Sequence, residues 1–213
     1  MSHERQDWLA GRWRRWLLVA AVTLGIVLPT TRQAPAHPHV WIEAGVTLVI
    51  GGGLIEAVQV SWTFDDYYST LILEDFDQNS DGALSEAELA LVAENQQAED
   101  LASYNYFTHI KLGDRALKIE TVKDFRASFD QGLLRFTFTV PIHPAIDPAA
   151  TPLTFSLYDP EYYIDIAINW ADPIQYAGEL PNSCHPVVAE DEMNPIYFGM
   201  VYPYLVQLRC DDS

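Results

Sequence analysis

The stretch VWIEAGVTLVIGGGLIEAVQVSWTF, Val40 to Phe64, decides the fold class. Its two arms, Val40 to Ile50 and Leu54 to Phe64, are rich in β-branched and aromatic residues. Between them lies Gly51-Gly52-Gly53, which tolerates the positive φ that tight hairpin turns require. The segment therefore predicts an antiparallel hairpin at the start of a β-rich domain.

From Asp65 the periodicity changes. Asp65 or Asp66 can cap a helix, and Tyr68, Leu71, Ile72 and Phe76 recur at helical spacing. A second helix is expected from Ser85 to about Tyr104, where Leu84, Leu89, Val92 and Leu101 form its apolar stripe and Ser85-Glu86-Ala87-Glu88 its acidic first turn. Strand patterns then return at Tyr106 to Leu112, Ala116 to Phe129 and Leu133 to Ile142, with turns at Gly113-Asp114 and Asp130 to Gly132. The proline-rich His143 to Pro152 reads as a loop, followed by strands at Leu153 to Tyr158 and Tyr162 to Trp170. About seven strands at this spacing predict an α+β, mainly β fold. The expectation is an antiparallel β-sandwich-like domain with a helical hairpin inserted at 65–104, and Trp62, Tyr67, Tyr158, Tyr162 and Tyr163 in its core or rim.

Between the two helical patterns, Asp77-Gln78-Asn79-Ser80-Asp81-Gly82-Ala83-Leu84-Ser85-Glu86-Ala87-Glu88 matches the twelve-residue EF-hand loop. Asp77, Asn79 and Asp81 are the candidate side-chain ligands, Ala83 supplies its carbonyl, Ser85 a water-mediated contact, and Glu88 a bidentate carboxylate. Gly82 makes the sharp turn and Leu84 points inward. A bidentate acid at the twelfth position suits Ca2+ better than the smaller, octahedral Mg2+. The competing reading is an Asp/Asn-rich turn without metal. One such loop, without a second, points to an ion that braces the helical hairpin rather than to a sensor.

Arg12, Arg14 and Arg15 precede the apolar run Trp16 to Pro29, and Ala34-Pro35-Ala36 follows. This order predicts a cleaved signal peptide at 1–36, by the Sec or twin-arginine route, ahead of a single periplasmic domain at 37–213. The apolar run is too short for a bilayer core of about 30 Å, so no stable membrane insertion is expected after cleavage. The full chain of 213 residues already carries a net charge of −18. Removing the Arg-rich segment makes it more acidic, which argues against nucleic acid as a partner and for cations. Cys184 and Cys210 are the two cysteines. In an oxidising compartment they are expected to form a disulfide worth about 3 to 4 kcal/mol in the chain-entropy model.

Cleavage before His37 would expose His37-Pro38-His39, an α-amine and two imidazoles suited to Zn2+, Ni2+, Co2+ or copper. In extended chain the two histidine Cα atoms lie about 7 Å apart on one face. Pro38 has no amide hydrogen, so it cannot chelate through a deprotonated nitrogen. The competing reading is an exposed first residue and an edge-strand histidine. Glu43, Asp65, Asp66, His109, Asp159, Glu161 and His185 are candidate partners that spacing cannot assign. No nucleophile elbow, phosphate-binding glycine loop or His-Glu-x-x-His helix is present, so the reading is non-enzymatic.

Taken together, His37-Pro38-His39-Val40-Trp41-Ile42-Glu43, Trp62-Thr63-Phe64-Asp65, the 77–88 loop and Tyr158-Asp159-Pro160-Glu161-Tyr162-Tyr163 resemble family 1007 among the domains of unknown function. The resemblance covers about residues 37 to 170 and leaves the tail from Ala171 outside it. It implies the periplasmic component of an uncharacterised ABC-type transport system, near nickel, cobalt or zinc transport, with an inner-membrane transporter component as partner. Two other classes stay open: a histidine-brace copper enzyme built on His37, and a calcium-stabilised interaction or adhesion module.

Overall fold

The computed structural model describes residues 39–98, 101–169 and 172–211. The expected signal peptide at 1–36 and His37 lie outside the described residues.

Strand β1 (Val40–Gly51) and strand β2 (Leu54–Phe64) form the expected hairpin, with Gly51 opposite Leu54. Gly52 and Gly53 take φ of 60° and 81°, the left-handed pair that a two-residue hairpin turn needs. Helix α1 (Asp66–Phe76) follows directly, capped by Asp65, whose carboxylate accepts the Tyr68 N–H at 2.9 Å. Ser69 is its fully buried residue, with Tyr68, Ile72, Leu73 and Phe76 half-buried beside it, whereas Leu71 is exposed. The stripe is thus rotated from the one the spacing suggests, because α1 lies against strand β6 (Leu133–Ile146) through Ser69.

Helix α2 (Glu86–Ala98) ends short of Tyr104. A 3-10 segment, Leu101–Phe107, takes over with Asn105 and Tyr106 in left-handed conformation. The reason lies in Asn105, whose amide donates to the Thr108 carbonyl at 2.6 Å and accepts the Ile119 N–H at 2.7 Å. Those bonds compensate a conformation an asparagine tolerates and a continuing helix would forbid.

The other strands are β3 (Thr108–Leu112), β4 (Arg115–Leu117), β5 (Lys123–Asp130), β7 (Leu153–Leu157), β8 (Ile164–Ile168), β9 (Gln175–Ala177), β10 (Cys184–Glu190) and β11 (Tyr204–Cys210). They make a mainly β protein of two sheets. One has the order β5-β6-β2-β1-β8 with β9 also on β1; the other runs β10-β11-β7-β3-β4. Trp62, Phe136 and Val60 from the first sheet and Ile110, Phe155 and Val206 from the second share one hydrophobic core. Leu84 and Val92 of the helical insertion join that core.

Three expectations are corrected. The stretch 116–129 is two strands in different sheets: Ile119 is buried between them and held by Asn105, so the chain crosses over at 118–122. Strand β6 continues past Ile142 to Ile146, because its pairing with β2 shifts register between Ile55 and Ala57, where a proline need donate no ladder bond. Pairing is not wholly antiparallel, since β8 and β9 both lie parallel to β1, one after the other along its free edge. The tail, for which the sequence offered no expectation of strands, adds β10 and β11 to the second sheet. Strand β11 inserts between β10 and β7, with Val206 and Leu208 almost fully buried.

Candidate functional site

The 77–88 loop joins α1 to α2 and is shaped by its own acids. The Asp77 carboxylate accepts the N–H groups of Asp81 (3.2 Å) and Gly82 (2.8 Å). Asn79 Oδ1 accepts the Asp81 N–H at 2.8 Å, and Asp81 Oδ1 accepts the Ala83 N–H at 3.0 Å. Glu88 closes the ring: Oε1 takes the Gln78 N–H and Oε2 the Ser85 N–H, both at 2.8 Å, and the Ser85 hydroxyl at 2.7 Å. Chiefly the Ser85 hydroxyl, then the Ser85 and Gln78 amides, hold the Glu88 carboxyl below the usual carboxylate range. Gly82 sits at φ +80°, which a side chain would strain.

Asp77, Asn79, Asp81, Ser85 and Glu88 are thus gathered on one short loop, and Leu84 is buried as its position requires. The donor set is all oxygen, which fits a hard cation such as Ca2+. Each Asp77 oxygen accepts one N–H and keeps a lone pair for an ion, whereas Glu88 Oε2 already accepts both Ser85 donors. Among the described residues, no three His, Cys, Asp or Glu side chains stand together as a metal-holding group. The acids of the loop therefore form no such group as they stand.

The second candidate region is the end of the first sheet where β1 begins. His39 donates its backbone N–H to the Tyr163 carbonyl at 2.9 Å, and the two rings lie 4.8 Å apart. The imidazole is exposed. Two residues on, the Trp41 N–H donates to Asp65 Oδ2 at 2.8 Å, and the Asp65 N–H returns to the Trp41 carbonyl at 3.0 Å. One carboxylate therefore ties the start of β1 to the cap of α1. Asp159, 5% exposed, does the same for the turn before β8, accepting the N–H groups of Glu161, Tyr163 and Ile164 at 3.0, 2.9 and 3.1 Å.

The other candidates scatter. Glu43, Asp65 and Asp66 line, with Trp41 and Asp165, an open groove of about 740 Å³. Burial raises the Asp165 carboxyl above its ordinary range, against a hydrogen bond from Tyr162. His109 stacks on Tyr158 with centroids 3.9 Å apart, and burial pushes its imidazole down from the ordinary value. His185 lies 4.0 Å from Asp211 at the surface, beside the disulfide. No hydrogen bond or ring contact joins either histidine to His39, and Tyr163 and Tyr67, expected in the core or its rim, are well exposed. Sequence reading missed the His39–Tyr163 contact because the two residues lie far apart in the chain and meet only through the parallel β1–β8 pairing.

Cys184 and Cys210 form the expected disulfide, directly opposite each other on β10 and β11. Among the described residues no helix is long and apolar enough to cross a membrane.

A two-sheet protein with a helical insertion, whose quoted motifs begin β1, end β2 and precede β8, defines a class rather than an activity. The chain belongs to the DUF1007 family, described as a protein of unknown function, whose model matches residues 21–197. The match extends beyond residue 170, so β9 and β10 belong to the family pattern as well as to the fold. The chain is 34% identical over 100 residues to the "Uncharacterized 15.5 kDa protein in trpE 3'region" of Spirochaeta aurantia, covering 47% of this chain and 70% of that protein. It is 26% identical over 165 residues to an uncharacterised protein of Haemophilus influenzae, covering 75% of each.

Proposed function

We propose that this is an exported, non-enzymatic accessory of a transition-metal transport system, braced by Ca2+ in an EF-hand at 77–88 and handling Zn2+, Ni2+ or Co2+ through His37 and His39. The observation that supports the calcium half is the calcium-loop spacing of Asp77, Asn79, Asp81, Ser85 and Glu88, on a turn whose side chains are held to its own amides. The support for the transition-metal half is the exposed imidazole of His39, fixed beside Tyr163 at the start of β1. Export rests on the Arg-rich apolar N-terminus together with the disulfide, which an oxidising compartment favours.

Calorimetry and thermal melting of protein processed to begin at His37 test both halves. Millimolar Ca2+ is expected to raise the melting temperature by about 5 °C or more in wild type and to leave Glu88→Gln unmoved. Zn2+, Ni2+ or Co2+ is expected to bind wild type and not His39→Ala. Equal calcium responses in wild type and Glu88→Gln would remove the calcium reading, and absence of transition-metal heats would remove the transport reading.

A further inference from the structure

We infer that the exposed tip of the β10–β11 hairpin, which carries Met193, Phe198 and Met200, docks a basic amphipathic helix of a partner protein. This surface is separate from the 77–88 loop and does not depend on metal binding.

The hairpin is anchored at its base and held at its tip. Cys184 and Cys210 are bridged across the β10–β11 pair, and Val206 and Leu208 of β11 are buried in the core. Beyond Glu190 the chain leaves the ladder and closes again at Ile196, whose N–H donates to the Val201 carbonyl at 2.8 Å. The turn between them puts Tyr197, Phe198 and Gly199 at φ of 47°, 57° and 82°. Two bulky aromatic residues in left-handed conformation are costly, and such strain persists only where surrounding contacts impose it. The Tyr197 ring lies 5.6 Å from that of Tyr162, which ties the tip to the turn before β8. Phe198 is thereby left 95% exposed, with Met193 at 86%, Met200 at 63% and Tyr202 at 44%. Apart from Met1, Met193 and Met200 are the chain's only methionines. Large apolar side chains grouped on one short loop and left in water mark an interaction surface, and flexible thioethers adapt to the partner's shape.

Charge selects the partner. No lysine or arginine occurs between Arg135 and Arg209, whereas Glu190, Asp191 and Glu192 lead directly into Met193. Arg209 pairs with His185 at the disulfide end of the hairpin, five register positions from the Glu190–Tyr204 pair, or about 17 Å at the rise of a strand. The Asp191 carboxylate accepts from the neutral Asn194 amide at 3.0 and 2.9 Å, and among the described residues none of the three acids is in an ion pair. Beside the tip, Ile196, Val201 and β8 wall a cavity of about 380 Å³ whose polar lining is Tyr158, Asp159, Tyr162, Asp165, Tyr202 and Tyr204, with no basic residue. A helix with an apolar stripe flanked by Lys or Arg meets both features: its aliphatic side chains cover Phe198 and the methionines, and its cations supply the charge this end of the molecule lacks. Strand addition fits less well, because Pro186 in the edge strand β10 gives a neighbouring strand no N–H.

Fluorescence anisotropy of dansyl-labelled peptides with the disulfide-bonded protein tests this. The probes are a Leu/Lys amphipathic helix of about 18 residues, its counterpart with Glu in place of Lys, and phosphatidylcholine vesicles. The Leu/Lys helix is expected to bind wild type saturably and to bind Phe198→Ser/Met200→Ser at least about tenfold more weakly, since two apolar side chains are no longer covered on binding. Leu91→Ser, which removes an exposed leucine from α2, should bind like wild type. Glu190→Gln/Glu192→Gln should bind more weakly and with a shallower salt dependence. Phe198 and Met200 project into water, so their double variant is expected to keep the wild-type melting temperature. The inference is overturned if wild type does not bind the Leu/Lys helix, or if Phe198→Ser/Met200→Ser binds it equally well, which would leave only diffuse attraction to an acidic protein. It is also overturned if the Glu helix binds as tightly, or if the vesicles capture the protein through Phe198 and the Leu/Lys helix does not.

Discussion

Ser69 Oγ accepts the backbone N–H of Leu134 at 2.9 Å while donating to the Asp65 carbonyl at 2.6 Å, so a single buried hydroxyl fastens α1 to β6. Both residues are fully buried. Ser69→Ala leaves the Leu134 N–H without a partner and away from water, at a cost of about 1 to 3 kcal/mol. Urea unfolding is expected to show that loss. Thr70→Ala, which removes only an exposed bond to the Asp66 carbonyl, should change stability by less than about 0.5 kcal/mol.

Asp159 accepts three backbone N–H groups from the turn that leads into β8. Asp159→Ala is expected to cost about 3 kcal/mol, since bonds to a charged acceptor are among the stronger ones and their loss strands buried donors. Asp159→Asn, which keeps one carbonyl oxygen, should cost less. The local signature is at His39: its ring resonances should shift as the Tyr163 contact loosens. An Asp159→Ala protein of wild-type stability would contradict the assignment.

The disulfide spans the cross-strand pair Cys184 and Cys210, with a sequence separation of 26. Reduction by dithiothreitol, or the Cys184→Ala/Cys210→Ala double variant, is expected to destabilise the protein by about 3 kcal/mol in the chain-entropy model. Because β11 also pairs with β7 in the second sheet, the loss should appear in the main unfolding transition and not as separate fraying of the tail. Chemical denaturation with and without reductant distinguishes the two.

His109 carries a pH dependence whose sign follows from burial. Desolvation holds its folded pKa below the ordinary 6.5, outweighing the bond to the Tyr158 carbonyl. Below pH 6.5 the unfolded chain takes up a proton that the folded protein declines, so stability falls as pH drops from about 7 toward the folded pKa. In His109→Phe, which keeps a ring against Tyr158 and cannot titrate, that part of the slope should disappear. Unfolding at pH 7.5 and 5.5 measures it, and identical slopes for the two proteins would refute the assignment.

Much of this protein was legible locally. The β1–β2 hairpin followed from two β-rich arms around glycines, and the Asp65 cap from a short acidic residue before a helical period. The acid-rich turn at 77–88 between two helices was legible because its Asp, Asn and Gly residues lie within one continuous segment. The disulfide followed from a pair of cysteines and an inferred compartment.

What failed to be legible depends on partners far away in sequence. Nothing near Ala116 distinguishes one long strand from two strands in different sheets; the crossing is set by Ile119 burying itself against the core and by Asn105 reaching its amide. The parallel seat of β8 on β1, and with it the meeting of His39 and Tyr163, follows from the chain passing between sheets after β7. Ser69 reads as an ordinary polar helix residue until α1 is laid on β6. By itself, then, the sequence determined the hairpin, the cap and the cysteine pair, because short-range sterics, capping chemistry and cysteine count encode them. Only the tertiary structure decided the sheet order, the core role of the tail and the exposed tip at Phe198, because burial and hydrogen-bond satisfaction there are settled between segments that meet only in the folded chain.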